Sequence, residues 1–538
     1  MSGGSTLGAM QDFPLRIMRL MDHAEREHGD REIVAARPDG TTIRTNWIQL
    51  AEVARRMAQA LERLGVKPGE RVATLAMNHD RHLAAWFGVV GMGGVLHTLN
   101  PRLFDDQLTY IIGHAEDRVI LYDGTFEAMV ERLKPQLPSV LRWIRFDDEF
   151  DEWVAAEDGN YRWYEGDERE PCGLCYTSGT TGNPKGVLYE HRSTVLHAMS
   201  IIAPDVFDLS ACSVLLPVVP MFHANSWCLP YAAAITGLKL VVCGETRAER
   251  ICELFNAEGV THSAGVPTVW LMIIDHAEDT GAKLGKLHTI IVGGSSAPPA
   301  TIRWFRERGI RVRHLWGMTE MTPIGTVGAP PANWDSMNDQ EQLDYVSRPG
   351  RSLFGVELRI VDDNGKVLPR DGQSSGHLQT RGASVVRRYF KKDEDCVDAD
   401  SWFDTGDIAV IHPDNTLRLT DRAKDVIKSG GEWISSIELE NQAVGCPGVL
   451  EAAAIGIPHP KWDERPLLLV VRDNGSEVRD ADIREYLSSR VAKWWLPDAI
   501  EFVDELPHTA TGKLSKKDLR DKYRDYRFSD AEAMVGRD

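Results

Sequence analysis

From about residue 70 to residue 320, short apolar runs alternate with amphipathic helical patterns, and nothing else in the chain constrains its fold as strongly. Arg71-Val-Ala-Thr-Leu75, Val119-Ile-Leu-Tyr122, Leu240-Val-Val-Cys243, His288 to Val292 and Val312 to Trp316 read as strands. Residues 83–90, 248–255 and 299–308 carry the helical period between them. A strand covered on both faces reads as a continuous apolar run, so repeated strand–helix units predict α/β architecture with largely parallel sheets. The texture changes after about Arg348. Val356-Glu-Leu-Arg-Ile360 alternates by twos, Leu378 to Arg381 is extended, and Ile408–Ile411 and Thr416–Thr420 flank His412-Pro-Asp-Asn415 as a hairpin. The stretch after about Ala423 mixes a strand at Leu467–Val471 with helices. The expectation is an α/β multidomain chain. A large N-terminal unit covers 1–423, with α/β sheets and a β-rich portion at about 349–422, and a small α+β unit covers 424–538.

With 538 residues, the chain is long enough for several cores. Its 61 Lys+Arg against 80 Asp+Glu leave a formal charge of −19, which argues against nucleic acid and against an anionic membrane surface as partners. Hydrophobic residues at 43% and charged residues at 26% exclude disordered and fibrous classes. Eight cysteines are too sparse for a disulfide scaffold, and Cys172-Gly-Leu-Cys175 lacks a second pair at zinc-ribbon spacing. That usage fits a reducing, cytoplasmic setting. Met1-Ser-Gly-Gly-Ser-Thr6 does not read as a signal peptide. Leu209 to Leu238 has no acidic or basic residue, but Pro217, Pro220 and Pro230 would break a spanning helix. A buried segment lining a pocket is expected there, and no transmembrane segment.

Tyr176-Thr-Ser-Gly-Thr-Thr-Gly-Asn-Pro-Lys-Gly-Val187 follows a strand. Glycine lets backbone N–H groups approach phosphate oxygens, the hydroxyls add donors, and Lys185 supplies charge, so the loop reads as an anion cradle. Pro184 stands where a Walker loop needs its second glycine, so this is not that motif.

Read residue by residue, the loop resembles the phosphate-binding signature of the adenylate-forming superfamily, which contains acyl-CoA ligases, luciferases and amino-acid-activating domains. Further stretches agree in order: Met221-Phe-His-Ala-Asn-Ser-Trp227, Gly293-Gly-Ser-Ser-Ala-Pro298, Trp316-Gly-Met-Thr-Glu320, Trp402-Phe-Asp-Thr-Gly-Asp407, Asp421-Arg-Ala-Lys-Asp-Val-Ile-Lys-Ser-Gly-Gly431 and Pro507-His-Thr-Ala-Thr-Gly-Lys513. Within the superfamily the chain resembles bacterial medium- and long-chain fatty-acyl-CoA ligases and ligases of 3-methylmercaptopropionate.

The resemblance implies a two-step reaction: a carboxylic acid and ATP form an acyl-adenylate and pyrophosphate, and the acyl group then passes to the thiol of CoA. It implies catalytic roles for Lys513, Glu320 and Thr177, with Thr177 and Glu320 holding Mg²⁺. ATP would meet Thr177, Ser178, Gly179, Thr180, Thr181, Gly182 and Lys185. Its nucleoside would lie between Gly294-Ser295 and His314-Leu315-Trp316-Gly317, near Thr319. Trp316 stands where relatives carry Tyr or Phe, and would cover adenine. Asp407 and Arg422 would take the ribose, with Lys424 and Lys428 also near ATP. His223, Ala224 and Trp227 would border the acyl tunnel, while Gly430, Gly431 and Trp433 would line the path of CoA. The small domain is expected to be mobile and to turn about Lys424. Lys424 and Asp421 depart from the Asp and Gly that many relatives have there. The basic run from Lys513 to Arg527 is expected as a solvated helix face. Relatives of this type are often homodimers that pair through N-terminal segments.

Other readings fit less of the chain. An amino-acid-activating domain anchors its substrate amine with an Asp where this chain has His223, and the stretch after Lys513 is too short for a carrier domain. Luciferase-like oxidation shares the same motifs. A hydrolase would rest on Gly293-Gly-Ser-Ser-Ala297, which has Ala where the nucleophile motif needs Gly.

Overall fold

The computed structural model describes residues 8–177, 183–429, 432–473, 475–508 and 514–528. Of the expected site residues, Ser178, Gly179, Thr180, Thr181, Gly182, Gly430, Gly431 and Lys513 lie outside them.

Among the described residues the alternating region builds two sheets. In the first, the strands run in the order Arg142–Arg145, Asp117–Tyr122, Arg71–Leu75, Val95–Thr98, Pro171–Thr177 and Lys185–Glu190. All neighbours are parallel except the last pair, where Thr177 faces Lys185 across an antiparallel ladder. The second is nine-stranded. Its central strands Val214–Pro217, Lys239–Cys243, His262–Gly265, Thr289–Val292 and Arg311–Gly317 are parallel, and antiparallel strands close both edges. Helices pack between these sheets because their apolar stripes have no other cover. The helix Trp47–Arg63 buries Trp47, Leu50, Ala54, Met57 and Leu61 against the helix Asp80–Gly91 and its neighbours.

The β-rich portion is an antiparallel sheet in the order Val356–Val361, Ser375–Gly382, Phe403–Ile411 and Leu417–Arg422. Beyond the turn at residues 423–425, the small unit has its own sheet. There the long hairpin Val449–His459 with Asp463–Arg472 is flanked by Ile427–Ser429, Glu432–Ile434 and Ala499–Phe502. Its faces bury separate apolar clusters, one under Leu439, Ile483 and Leu487, the other under Leu519 and Phe528. No helix among the described residues is long and apolar enough to cross a membrane.

Candidate active site

The phosphate-loop strand Pro171–Thr177 is made of small and apolar residues, and it delivers Thr177 to the rim of a cavity of about 680 Å³. Thr177, Lys185, Gly294, Leu315, Gly317, Thr319, Glu320, Arg422 and Lys424 lie on its wall, together with His223, Ala224 and Trp227. Leu514, Ser515, Lys516 and Lys517 of the small unit also line it. Ser295, His314, Trp316, Asp407, Lys428 and Trp433 are not on this wall. Strand alternation explains Trp316: the period of two turns Leu315 and Gly317 to the cavity and Trp316 the other way. Gly317 is obligatory there, since a Cβ would lie 2.1 Å from the Pro323 carbonyl oxygen.

Trp316 differs in surroundings from the adenine cover expected of it. It packs with Met321, Val356, Leu358 and Leu378, and its indole Nε1 donates to Asp407 Oδ2 at 2.8 Å. Asp407 Oδ1 lies 2.8 Å from Arg422 Nε, so a buried carboxylate is held from both sides. His314 donates through its Nδ1–H to the Ser347 carbonyl at 2.8 Å, and burial holds its pKa down to about 4, leaving it neutral at pH 7. Lys428 and Trp433 face each other across the small unit's short hairpin, with Trp433 edge-on to His377 of the β-rich sheet.

Glu320 is buried, and burial pushes its carboxyl up from the ordinary range against the hydrogen bond donated by Tyr389 Oη to Oε1 at 3.0 Å. Tyr389 also lies under Lys185, whose Nζ sits 4.8 Å from the ring centroid. The motifs gave no sign of Tyr389. It comes from the loop after Ser375–Gly382, and only the chain's return past the phosphate strand brings it to both residues. The Thr177 hydroxyl and the Glu320 carboxylate are hard oxygens on one wall, and among the described residues no group of three or more His, Cys, Asp or Glu could cage a metal. Two hard oxygens suit Mg²⁺, which keeps waters and phosphate oxygens as most of its ligands.

The wall also carries apolar residues, among them Leu103, Ile111, Phe222, Ala224 and Trp227. Asn78 staples the segment that carries the last three, accepting from Met221 N at 2.7 Å and donating to the Val219 carbonyl at 3.0 Å. From Ala224 to Cys228 every residue has φ between 43° and 60°. A left-handed turn without glycine costs roughly 1–2 kcal/mol per residue, so tertiary contacts must impose it. Ser226 Oγ donates to the Val219 carbonyl at 3.1 Å, and Asn225, Trp227 and Cys228 are all buried. Cys172 and Cys175 are buried in the phosphate-loop strand, and burial pushes the Cys172 thiol up to about 12, so it is a packing residue rather than a reactive one.

Comparison with known proteins agrees with this architecture. Residues 21–390 match the AMP-binding enzyme family, and residues 438–513 match the AMP-binding enzyme C-terminal domain. The chain is 46% identical to a 3-methylmercaptopropionyl-CoA ligase of Ruegeria lacuscaerulensis, covering 96% of this chain and 99% of that one. It is 44% identical to a medium-chain-fatty-acid–CoA ligase of Ectopseudomonas oleovorans, covering 96% and 98%. Its fold superposes on the anthranilate CoA ligase AuaEII in complex with anthranoyl-AMP with a TM-score of 0.85 at 23% identity, covering 95% and 99%. The chain therefore belongs to the AMP-binding enzyme family of the adenylate-forming superfamily.

Proposed function

We infer that this enzyme is an AMP-forming acyl-CoA ligase, joining a carboxylic acid to CoA by way of an acyl-adenylate. One observation carries the reading: a single cavity is lined both by the polar side chains of Thr177, Lys185, Glu320, Arg422 and Lys424 and by the apolar ones of Phe222, Ala224 and Trp227. A carboxylate and ATP repel each other, so cations must gather where they meet. Lys185 and Arg422 offer fixed charge there. Mg²⁺ bound through Thr177 and Glu320 would neutralise phosphate charge as the α-phosphorus is attacked. Asp407 would accept from the ribose hydroxyls, oriented by Trp316 and Arg422, and Lys513 would bridge the carboxylate and the α-phosphate. In the second step the thiol of CoA displaces AMP from the acyl carbon.

Among the described residues, the apolar stretch of the lining at Phe222, Ala224 and Trp227 has His223 and no acidic side chain to pair with a substrate amine. It suits saturated or aryl-substituted acids of medium length, and the names of the relatives point the same way. Pyrophosphate release across acids from acetate to palmitate, with 3-methylmercaptopropionate, phenylalkanoates and amino acids included, tests this. Medium-length apolar acids should rank above acetate. Activity on acetate alone, or preference for an amino acid, would overturn the substrate class.

Trp316→Phe keeps a flat ring and removes the N–H that Asp407 accepts. A hydrogen bond to a charged group is worth about 1.5–3 kcal/mol, so KM for ATP should rise about 10-fold with a smaller change in kcat. Discrimination against 2′- and 3′-deoxy-ATP should weaken with it. Unchanged KM and discrimination would mean that the indole only fills space.

We further propose a cytoplasmic homodimer. All eight cysteines are free thiols, which suits a reducing compartment, and Met10 and Phe13 are exposed near the N-terminus, where relatives of this type pair. Light scattering at micromolar concentration should give twice the monomer mass of 60.1 kDa. The monomer mass would end the dimer reading.

A further inference from the structure

The strand Leu417–Arg422 is the last of the β-rich sheet, and the turn at residues 423–425 leads from it into the small unit. Asp421 is buried at its end. Asp421 Oδ2 accepts from the Ser436 N–H at 2.7 Å and from the Ser436 hydroxyl at 2.5 Å, and Oδ1 accepts from the Arg422 N–H at 2.8 Å. Ser436 opens the helix Ser436–Val444, so the carboxylate also sits at the favourable pole of that helix. The Ser436 hydroxyl, having donated to Asp421, accepts from Lys516 Nζ. Lys516 is itself buried and pairs with Glu440 Oε1 at 2.8 Å, while Glu440 accepts from the Ala454 N–H at 2.8 Å.

A continuous run of buried, mutually satisfied polar groups thus links the large unit's last strand to Lys516, which stands on the cavity wall. Two further bonds cross the same seam, from the Ser435 hydroxyl to the Thr420 carbonyl and from Asn441 Nδ2 to Ser296 Oγ at 3.1 Å. Asp421 precedes the turn and Ser436 follows it. Any rotation of the small unit about residues 423–425 must therefore part these two residues, leaving a desolvated carboxylate and helix terminus to be rehydrated.

We propose that Asp421 is a positioning residue that latches the small unit over the cavity in the adenylate-forming arrangement, through Ser436 and Lys516. The latch sets how the enzyme divides its time between its two half-reactions, and in that respect it rests on the two-step reading above. The carboxylate touches neither substrate nor the cavity wall; it acts through the small unit's placement.

The test combines Asp421→Ala and Asp421→Asn with two assays and a protease. In the Ala variant, ATP–pyrophosphate exchange should fall about 10-fold in kcat, the scale of one lost charge-assisted hydrogen bond, with KM for ATP little changed. Thioester formation from synthetic acyl-adenylate should hold or rise. Trypsin should cut after Arg422, Lys424 or Lys428 several-fold faster, because the latch shields that segment. Asn, which keeps one acceptor, should fall between Ala and the native residue in all three. Equal loss in both half-reactions, or no change in their balance and in cleavage, would overturn the proposal. Should Asp421→Ala fail to fold, Ser436→Ala approaches the latch from the other side, keeping the N–H donor but cutting the link to Lys516, and should shift the same readouts in the same direction. The protease assay is independent of chemistry. Faster cleavage in variants of a chain that adenylates nothing would sink the ligase reading alone, and native cleavage and balance in an active ligase would sink the latch alone.

Discussion

Lys513→Ala should lower adenylate formation by at least about 100-fold, the scale of losing a transition-state donor, and leave thioester formation from pre-made acyl-adenylate nearly unchanged. Lys513 lies outside the described residues, but the chain on either side of it is placed. His508 bridges Leu514 in antiparallel fashion, and the Ser515 N–H donates to the Pro507 carbonyl at 2.8 Å, so the ends of the segment are held together. Leu514 to Lys517 stand on the cavity wall that also carries Thr177, Lys185 and Glu320. The role proposed for Lys513 rests on its motif and on its chain neighbour Leu514 standing on that wall, a compact ammonium being suited to bridging a carboxylate and a phosphate. The two steps are measured separately, as pyrophosphate release from ATP plus acid and as CoA-thiol consumption from synthetic acyl-adenylate. Normal adenylation by the folded mutant, or equal loss in both steps, would refute the role given to Lys513.

The second large effect concerns the turn between the units. Lys424→Pro should depress thioester formation at least about 100-fold more than ATP–pyrophosphate exchange, because proline fixes φ near −65° and restricts the residue before it. Lys424 also lines the cavity, so loss of its ammonium alone should slow adenylation somewhat. Lys424→Ala separates the two causes: it removes the charge and leaves the backbone free. The Ala variant should slow adenylation about as much as Pro does and keep thioester formation coupled to it. If Ala and Pro behave alike in both assays, residue 424 is not the pivot. Lys424→Pro and Asp421→Ala act in opposite senses on one motion, the first blocking rotation and the second releasing it.

The strands at 71–75, 119–122, 240–243 and 289–292 were legible because a parallel strand covered on both faces is written as a local apolar run. The hairpin around His412-Pro-Asp-Asn415 was legible for a similar reason, since its turn residues are local. The basic run after Lys513 misleads. It reads as a solvated face, yet Lys516 is buried on Glu440 and Arg520 pairs with Asp425. Their acidic partners lie 76 and 95 residues earlier in the chain, so no local pattern announces them. Burial also pushes the Glu440 carboxyl up to about 7, against the pull of Lys516 and with Asp421 adding to the rise, and both of those groups lie far from it in the chain.

By itself the sequence carried the ordered motifs whose family resemblance implies the chemistry, the hydroxyl- and glycine-rich phosphate loop, and the alternation that makes parallel sheets. Those are properties of spacing and side-chain type, which survive without coordinates. The tertiary structure alone decided how the motifs meet. It turned Trp316 from the cavity onto Asp407, 91 residues away, brought Tyr389 between Glu320 and Lys185, and set Asp421 against Ser436. It also forced Ala224 to Cys228 into left-handed backbone that their side chains disfavour. Each of these depends on contacts between distant segments, and such contacts outweigh local preference only once the sheets have packed.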